Sequence, residues 1–113
     1  MTPKARTIDT TREKRGVDRY VIRRPDRLHI SLPVSIACQN DAPAPIHLRN
    51  ISSFGFMGEC GEELPVGSAV AVDLPGLGIA RGMIRWTIGT KVGGSFNNKI
   101  DLALLRIAAP DAF

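Results

Sequence analysis

Apolar residues alternate with polar or small residues without a break from Leu28 to Cys38. Successive side chains of a β-strand point to opposite faces, so this period of two predicts a strand with one buried face. The buried face is predicted to carry Leu28, Ile30, Leu32, Val34, Ile36 and Cys38. Pro33 lies on the other face and cannot donate a ladder hydrogen bond, so we expect the strand to lie at a sheet edge or to bulge at that point.

Short strands continue along the rest of the chain. Alternating patterns predict them over residues 46–51, 69–74 and 79–88, and a glycine-rich strand, bent at Gly93 and Gly94, is predicted over 90–96. In the strand over 79–88, one face is predicted to carry Ala80, Gly82, Ile84, Trp86 and Ile88. Turn residues indicate a loop over 40–45 and a connection over 58–65. Several short strands at this spacing are typical of an all-β barrel or sandwich.

A different pattern follows the last strand. Asn97 or Asn98 is a candidate cap for a short helix, which would end before Pro110. One face of that helix would carry Leu102, Leu105 and Ala109. A strand is the open alternative, because Ile100, Leu102 and Leu104 also alternate.

Positive charge is concentrated at the N-terminus. The chain has 113 residues, of which 43% are hydrophobic, as expected for one soluble domain with a modest core. Residues 1–27 contain nine Lys/Arg and four Asp/Glu, whereas residues 28–113 contain six and seven. We therefore predict a flexible basic arm over residues 1–19 and a folded domain over 20–113, with a polyanion as the first candidate partner.

Membrane and metal signals are weak in this sequence. No apolar run approaches the roughly 20 residues that span a bilayer, and the N-terminus lacks the apolar stretch of a signal peptide. We expect a cytoplasmic protein without membrane insertion. Cys38, Cys60, His29 and His47 do not match a zinc pattern, so the cysteines are predicted to be buried thiols and no metal or cofactor is expected.

Two short motifs flank the first two strands. Arg23 and Arg27 form R-x-x-x-R just before the first strand, and Asn50, Ser52 and Gly55 form N-x-S-x-x-G at the end of the second. Continued alternation would place Asn50 and Ser52 on the apolar face, which is unfavourable unless the strand bulges and they meet a ligand or backbone. An ordinary turn, with both side chains bonded to local backbone, stays open as the alternative.

Both motifs, in this order and strand context, resemble the signatures of PilZ domains, which bind the bacterial second messenger cyclic di-GMP. Two later segments, Ile84-Arg85-Trp86 and Gly93-Gly94-Ser95-Phe96, also resemble the family, so the likeness covers about residues 20–108. The resemblance implies a six-stranded antiparallel β-barrel with a flexible basic N-terminal arm and a short C-terminal helix.

The resemblance also implies a binding site for cyclic di-GMP. Its residues would be Arg23, Arg24, Arg27, Asn50, Ser52 and Gly55. Planar guanidinium groups form bidentate bonds to phosphate or to the O6/N7 edge of guanine. Asn50 would bond a guanine edge, Ser52 would bond the base or hold the turn, and Gly55 would leave room and permit positive φ. Trp86, Phe54 and Phe56 are predicted to be packing residues, with Trp86 in the ligand wall as the alternative.

No catalytic constellation is evident. Ser52 lacks a G-x-S-x-G setting, and no acidic pair accompanies the two histidines. We therefore expect a non-enzymatic receptor that signals to an unidentified downstream protein. Two alternatives stay open, a PilZ-like adaptor that does not bind nucleotide and a basic small-barrel protein that binds nucleic acid. The second is less expected, because six aromatic residues, several of them predicted to be buried, offer no obvious stacking platform.

Overall fold

The structure is a computed structural model that describes residues 27–39 and 41–113. The predicted arm over 1–19, the first residues of the predicted domain and the two candidate ligands Arg23 and Arg24 lie outside the described residues.

Six antiparallel strands form a closed barrel. They are β1 (Leu28–Cys38), β2 (Ala44–Ile51), β3 (Gly55–Cys60), β4 (Ala69–Leu74), β5 (Gly78–Ile88) and β6 (Lys91–Phe96). Around the barrel they follow the order β1-β2-β3-β6-β5-β4, and β4 pairs with β1 to close it. Closure satisfies backbone groups that an open sheet would leave at its edges. The predicted all-β, six-stranded barrel is confirmed.

The first strand follows its sequence pattern. Ile30, Leu32, Ile36 and Cys38 are buried on the inner face, and Pro33 is exposed. The register with β2 shifts between His29 and Leu32, and pairing with β4 covers only the four residues Ser35–Cys38. Pro33 pairs with His47 of β2 in regular register and precedes the residues that pair with β4, so it has a partner strand on one side only, which suits a residue that cannot donate a ladder hydrogen bond.

The boundaries of two early elements differ from prediction. Strand β2 begins at Ala44 and not at residue 46. The predicted connection over 58–65 is wrong in its first part, because Gly58 to Cys60 belong to β3. Gly58 lies so close to β2 that a Cβ atom there would be 2.7 Å from the carbonyl oxygen of His47. A glycine that normally signals a turn is here the residue that lets two strands approach.

The predicted inner face of β5 is correct only to Ile84. Gly82 and Ile84 are buried, but the side chains of Trp86 and Ile88 are 39% and 72% exposed. The register with β6 shifts between Ile84 and Trp86. A bulge inserts one extra residue into a strand and redirects the side chains that follow it. The prediction that Trp86 packs in the core is therefore wrong.

A short helix, α1 (Leu102–Ala108), follows the barrel and precedes a 3-10 turn over Pro110–Ala112. Its N-cap is Asp101, whose Oδ1 accepts hydrogen bonds from the backbone N–H of Ala103 at 3.0 Å and of Leu104 at 3.4 Å. The predicted caps, Asn97 and Asn98, are wrong, since the helix begins later. Leu105 is fully buried in the core, so the predicted helix is confirmed and the alternative strand is not.

The core contains residues from all six strands together with Leu64 and Leu105. Cys38 and Cys60 are free thiols buried within it, as predicted. Across the described part of the chain, none of the helices has the length and apolar character needed to cross a membrane.

Candidate functional site

A cavity of about 230 Å³ opens beside the end of β2. It brings together all four predicted site residues that the structure describes, namely Arg27, Asn50, Ser52 and Gly55. They come from the segment before β1, the end of β2 and the turn into β3. The two sequence motifs thus meet in one place, because antiparallel pairing of β1 with β2 sets His29 opposite Asn50.

The two motifs are joined by a direct hydrogen bond. Arg27 Nε donates to Asn50 Oδ1 over 2.6 Å, between residues 23 positions apart in the chain. A hydrogen bond that involves a charged group is shorter and stronger than a neutral one. Because Nε is occupied, the two terminal nitrogens of Arg27 are the donors that a ligand would meet.

Asn50 is a buried polar residue, with 9% of its surface exposed. The register of β2 with β3 shifts between Leu48 and Asn50, so the strand is irregular where the alternation predicted a special site. Asn50 Oδ1 is engaged by Arg27, and Nδ2 has no hydrogen-bond partner among the residues that the structure describes. This amide is therefore available to donate to a ligand in the cavity.

Ser52 holds the turn between β2 and β3. Its Oγ accepts hydrogen bonds of 3.1 Å from the backbone N–H of Phe54 and of Gly55, while its own N–H donates to the Gly55 carbonyl oxygen at 2.8 Å. The local-backbone alternative is thus correct for Ser52, although its side chain also lines the cavity. Its role is to shape the site.

Gly55 is required by strand packing. A Cβ atom at this position would lie 2.6 Å from the Gly94 carbonyl oxygen in β6. Gly55 is absent from the glycines with positive φ in the described residues, so the expected use of positive φ is wrong. The absence of a side chain instead lets β3 and β6 approach and keeps the cavity floor open.

Aromatic rings form another wall. Phe54 and Trp86 line the cavity and are 46% and 39% exposed, so the prediction that they pack in the core is wrong for both. Phe56 does pack in the core, with its ring centroid 5.4 Å from that of Phe96. The alternative placement of Trp86 in the wall of the site is correct geometrically. Exposed faces of this kind suit stacking with a planar base.

Sequence reasoning missed Arg85. It lines the cavity from the β5 bulge, and its Nε donates to Ser95 Oγ at 3.0 Å. The cavity lining in the described chain therefore contains two guanidinium groups and no carboxylate. The Ile84-Arg85-Trp86 segment was the only available signal, and alternation gave Arg85 no special place. The site is chemically suited to an anion that carries planar, hydrogen-bonding rings.

A comparison with protein-family models finds no matching family, and a search of curated proteins finds no match. Within residues 27–39 and 41–113, there is no group of three or more His, Cys, Asp or Glu placed to hold a metal ion.

Proposed function

We propose that this protein is a PilZ-type receptor for cyclic di-GMP. One observation carries the proposal: Arg27 of the first motif bonds Asn50 of the second, in a cavity that also includes Ser52 and Gly55. The closed six-stranded barrel is the fold that the family resemblance implies, and it supports the same proposal.

The chemistry of the cavity fits the chemistry of this ligand. Cyclic di-GMP has two phosphates and two guanines, and the terminal nitrogens of Arg27 can meet either a phosphate or the O6/N7 edge. Asn50 Nδ2 can donate to a guanine acceptor. Charge-assisted hydrogen bonds contribute about 1.5 to 3 kcal/mol each, so three or four give micromolar affinity, about −8 kcal/mol, after the cost of ordering.

Cavity size indicates that the described residues hold one part of the ligand. Sites for drug-sized molecules have volumes of about 300 to 1,000 Å³, and this cavity has about 230 Å³. Arg23 and Arg24 precede Arg27 by four and three residues in the sequence and belong to the same arginine-rich segment. In the proposal they supply further guanidinium groups to the rest of the dinucleotide.

In the proposal, the signal depends on the arginine motif, which lies at the C-terminal end of the basic N-terminal segment. Ligand binding would order residues 15–27 against the barrel and change the charge that a downstream protein meets. The protein then acts as a receptor without catalysis. Hydrogen exchange of residues 15–27 should slow on saturation with cyclic di-GMP, and unchanged exchange would refute this part of the proposal.

Calorimetry with cyclic di-GMP at physiological salt tests the receptor function, with GTP as the ligand control. Arg27→Gln removes the charge and should abolish measurable heat. Arg49→Gln is the matched control, because Arg49 is exposed, bonds Glu59 and is absent from the cavity lining. Circular dichroism verifies that each variant is folded. No heat from the folded wild-type protein would reject the proposal and favour an adaptor that does not bind nucleotide.

Single-stranded nucleic acid is the second candidate ligand. The exposed rings of Phe54 and Trp86 provide a stacking surface that the sequence alone did not indicate, and Lys99 Nζ lies 5.8 Å from the Phe54 ring centroid. Binding of this kind would weaken steeply with salt and tolerate many oligonucleotides. Titration of a mixed-sequence DNA 12-mer at two salt concentrations distinguishes the two functions. Salt-sensitive binding of the 12-mer would support nucleic-acid binding, and no binding of the 12-mer would support a receptor selective for one dinucleotide.

A further inference from the structure

Arg85 faces the cavity because of a bulge in β5. Ile84 pairs with Gly94 and Trp86 pairs with Gly93, so Arg85 is the extra residue between two consecutive partners in β6. Arg85 and Trp86 therefore both line the cavity, although neighbouring residues of a regular strand would point to opposite faces. The bulge thus places the guanidinium group of Arg85 and the indole ring of Trp86 on the same wall of the cavity.

Arg85 is held in place by Ser95. The Nε–H of Arg85 donates to Ser95 Oγ at 3.0 Å, across the β5–β6 pair. Among the residues that the structure describes, the two terminal nitrogens of Arg85 have no hydrogen-bond partner, so their N–H groups are available as donors to a ligand. A planar fork that is already oriented loses less rotational freedom when it binds.

Trp86 lies next to Arg85 in the cavity wall and has an exposed ring on which a base could stack. A guanine stacked on the exposed Trp86 ring would present one edge along the cavity wall, beside the neighbouring side chain of Arg85. The O6 and N7 atoms are adjacent acceptors on that edge and match a bidentate guanidinium. Arg27 belongs to the first sequence motif and bonds Asn50. Its terminal nitrogens can donate hydrogen bonds to a phosphate of the same ligand.

We infer that Arg85 is a ligand-binding residue that recognises the O6/N7 edge of one guanine, with Ser95 as its positioning residue. The inference depends on the proposed function, because it assigns this role within the cyclic di-GMP site. It adds a specificity determinant from β5 to the two sequence motifs, one before β1 and the other running from the end of β2 to the start of β3.

Paired titrations with cyclic di-GMP and its 7-deaza analogue test the inference, since the analogue replaces N7 by a C–H group. Wild-type protein should bind the analogue about tenfold more weakly than cyclic di-GMP. Arg85→Gln should weaken binding of cyclic di-GMP about tenfold or more, and the preference for N7 should shrink towards one. Calorimetry gives the affinities, and fluorescence of Trp86, the single tryptophan of the chain, reports on the same cavity.

Two further variants give the matched controls. Arg81→Gln makes the same charge change four residues earlier in β5, where Arg81 is exposed and outside this cavity lining, and should leave both affinities unchanged. Ser95→Ala should cause a smaller loss than Arg85→Gln, and Ser95→Thr should restore binding because it retains the hydroxyl group.

The outcomes separate this inference from the proposed function. If wild-type protein binds no cyclic di-GMP, the proposed function fails and the inference fails with it. If wild-type protein binds but Arg85→Gln has no effect, only the role of Arg85 is overturned. If Arg85→Gln weakens both ligands equally and the preference for N7 persists, Arg85 contacts phosphate and recognition of guanine by this residue is overturned.

Discussion

The indole ring of Trp86 occupies the space that a Cβ atom at Gly93 would need. Gly93 pairs with Trp86 across β5 and β6, so the ring lies over the neighbouring strand and its exposed part faces the cavity. The orientation of the aromatic wall is thus set by a residue that does not itself line the cavity.

Gly93→Ala should displace the Trp86 ring and destabilise the barrel. Overpacking of a well-packed site typically costs about 1 to 3 kcal/mol. We expect a lower urea midpoint and a shifted Trp86 emission maximum. Gly61→Ala is the matched control, because a Cβ atom there would have no atom within 4 Å, and it should leave both measurements nearly unchanged. An unaltered emission spectrum in Gly93→Ala would contradict the packing argument.

The bond between Arg27 and Asn50 should show energetic coupling. A double-mutant cycle with Arg27→Gln and Asn50→Ala, read from urea unfolding, should give an interaction of about 0.5 to 3 kcal/mol. The exposed pair Arg49 and Glu59, at 3.2 Å, provides the comparison. Its coupling should be about 0 to 1 kcal/mol and should fall with added salt. If both pairs showed equal, salt-sensitive coupling, burial of Asn50 would make no contribution to the interaction free energy of the Arg27–Asn50 pair.

Ser52→Ala should destabilise the protein even without ligand. The substitution removes the Oγ that accepts hydrogen bonds from two backbone N–H groups in the partly buried turn, and the loss of one such bond typically costs about 0.5 to 1.5 kcal/mol. Ser31→Ala is a suitable control, since Ser31 is exposed and its hydroxyl contacts only the His47 ring at 2.8 Å among the described residues. Thermal unfolding gives the comparison, and an equal melting temperature for both variants would contradict a structural role for Ser52.

Leu105→Ala should test whether α1 is part of the barrel core. Leu105 is fully buried, and replacing such a leucine by alanine costs about 2 to 5 kcal/mol. Leu104, its neighbour in the helix, is 46% exposed, so Leu104→Ala should change stability by less than about 1 kcal/mol. Denaturant unfolding at equilibrium measures both, and similar values would show that the helix does not depend on burial of Leu105.

Elements defined by their own side chains could be predicted from the sequence. Strand β1 was predictable because its whole length alternates, and Asn50 stood out because a polar residue fell on the apolar face. Strand β3 was not predicted from alternation, because Gly58 within it is also a turn residue. It is a strand because it pairs with both β2 and β6, and Gly58 permits the close approach to His47. Only the family resemblance implied a sixth strand.

The lining of the candidate site was predictable where its residues form local motifs. Arg27, Asn50, Ser52 and Gly55 were predicted and lie together, whereas Arg85 was missed. Its place depends on a bulge that is defined by the partner strand β6, and on a hydrogen bond to a residue ten positions away. A single strand read in isolation carries no signal for either. The same bulge explains why alternation placed Trp86 in the core.

The barrel closes through its shortest ladder. Ser35–Cys38 of β1 pair with four residues of β4, whereas each of the other strand pairs has at least five matched positions. The β1–β4 pair is therefore the seam of the barrel, and we expect local opening to separate these two strands before any other pair. A partner or a ligand that bridged the two sides of this seam would stiffen the whole cylinder without touching the cavity.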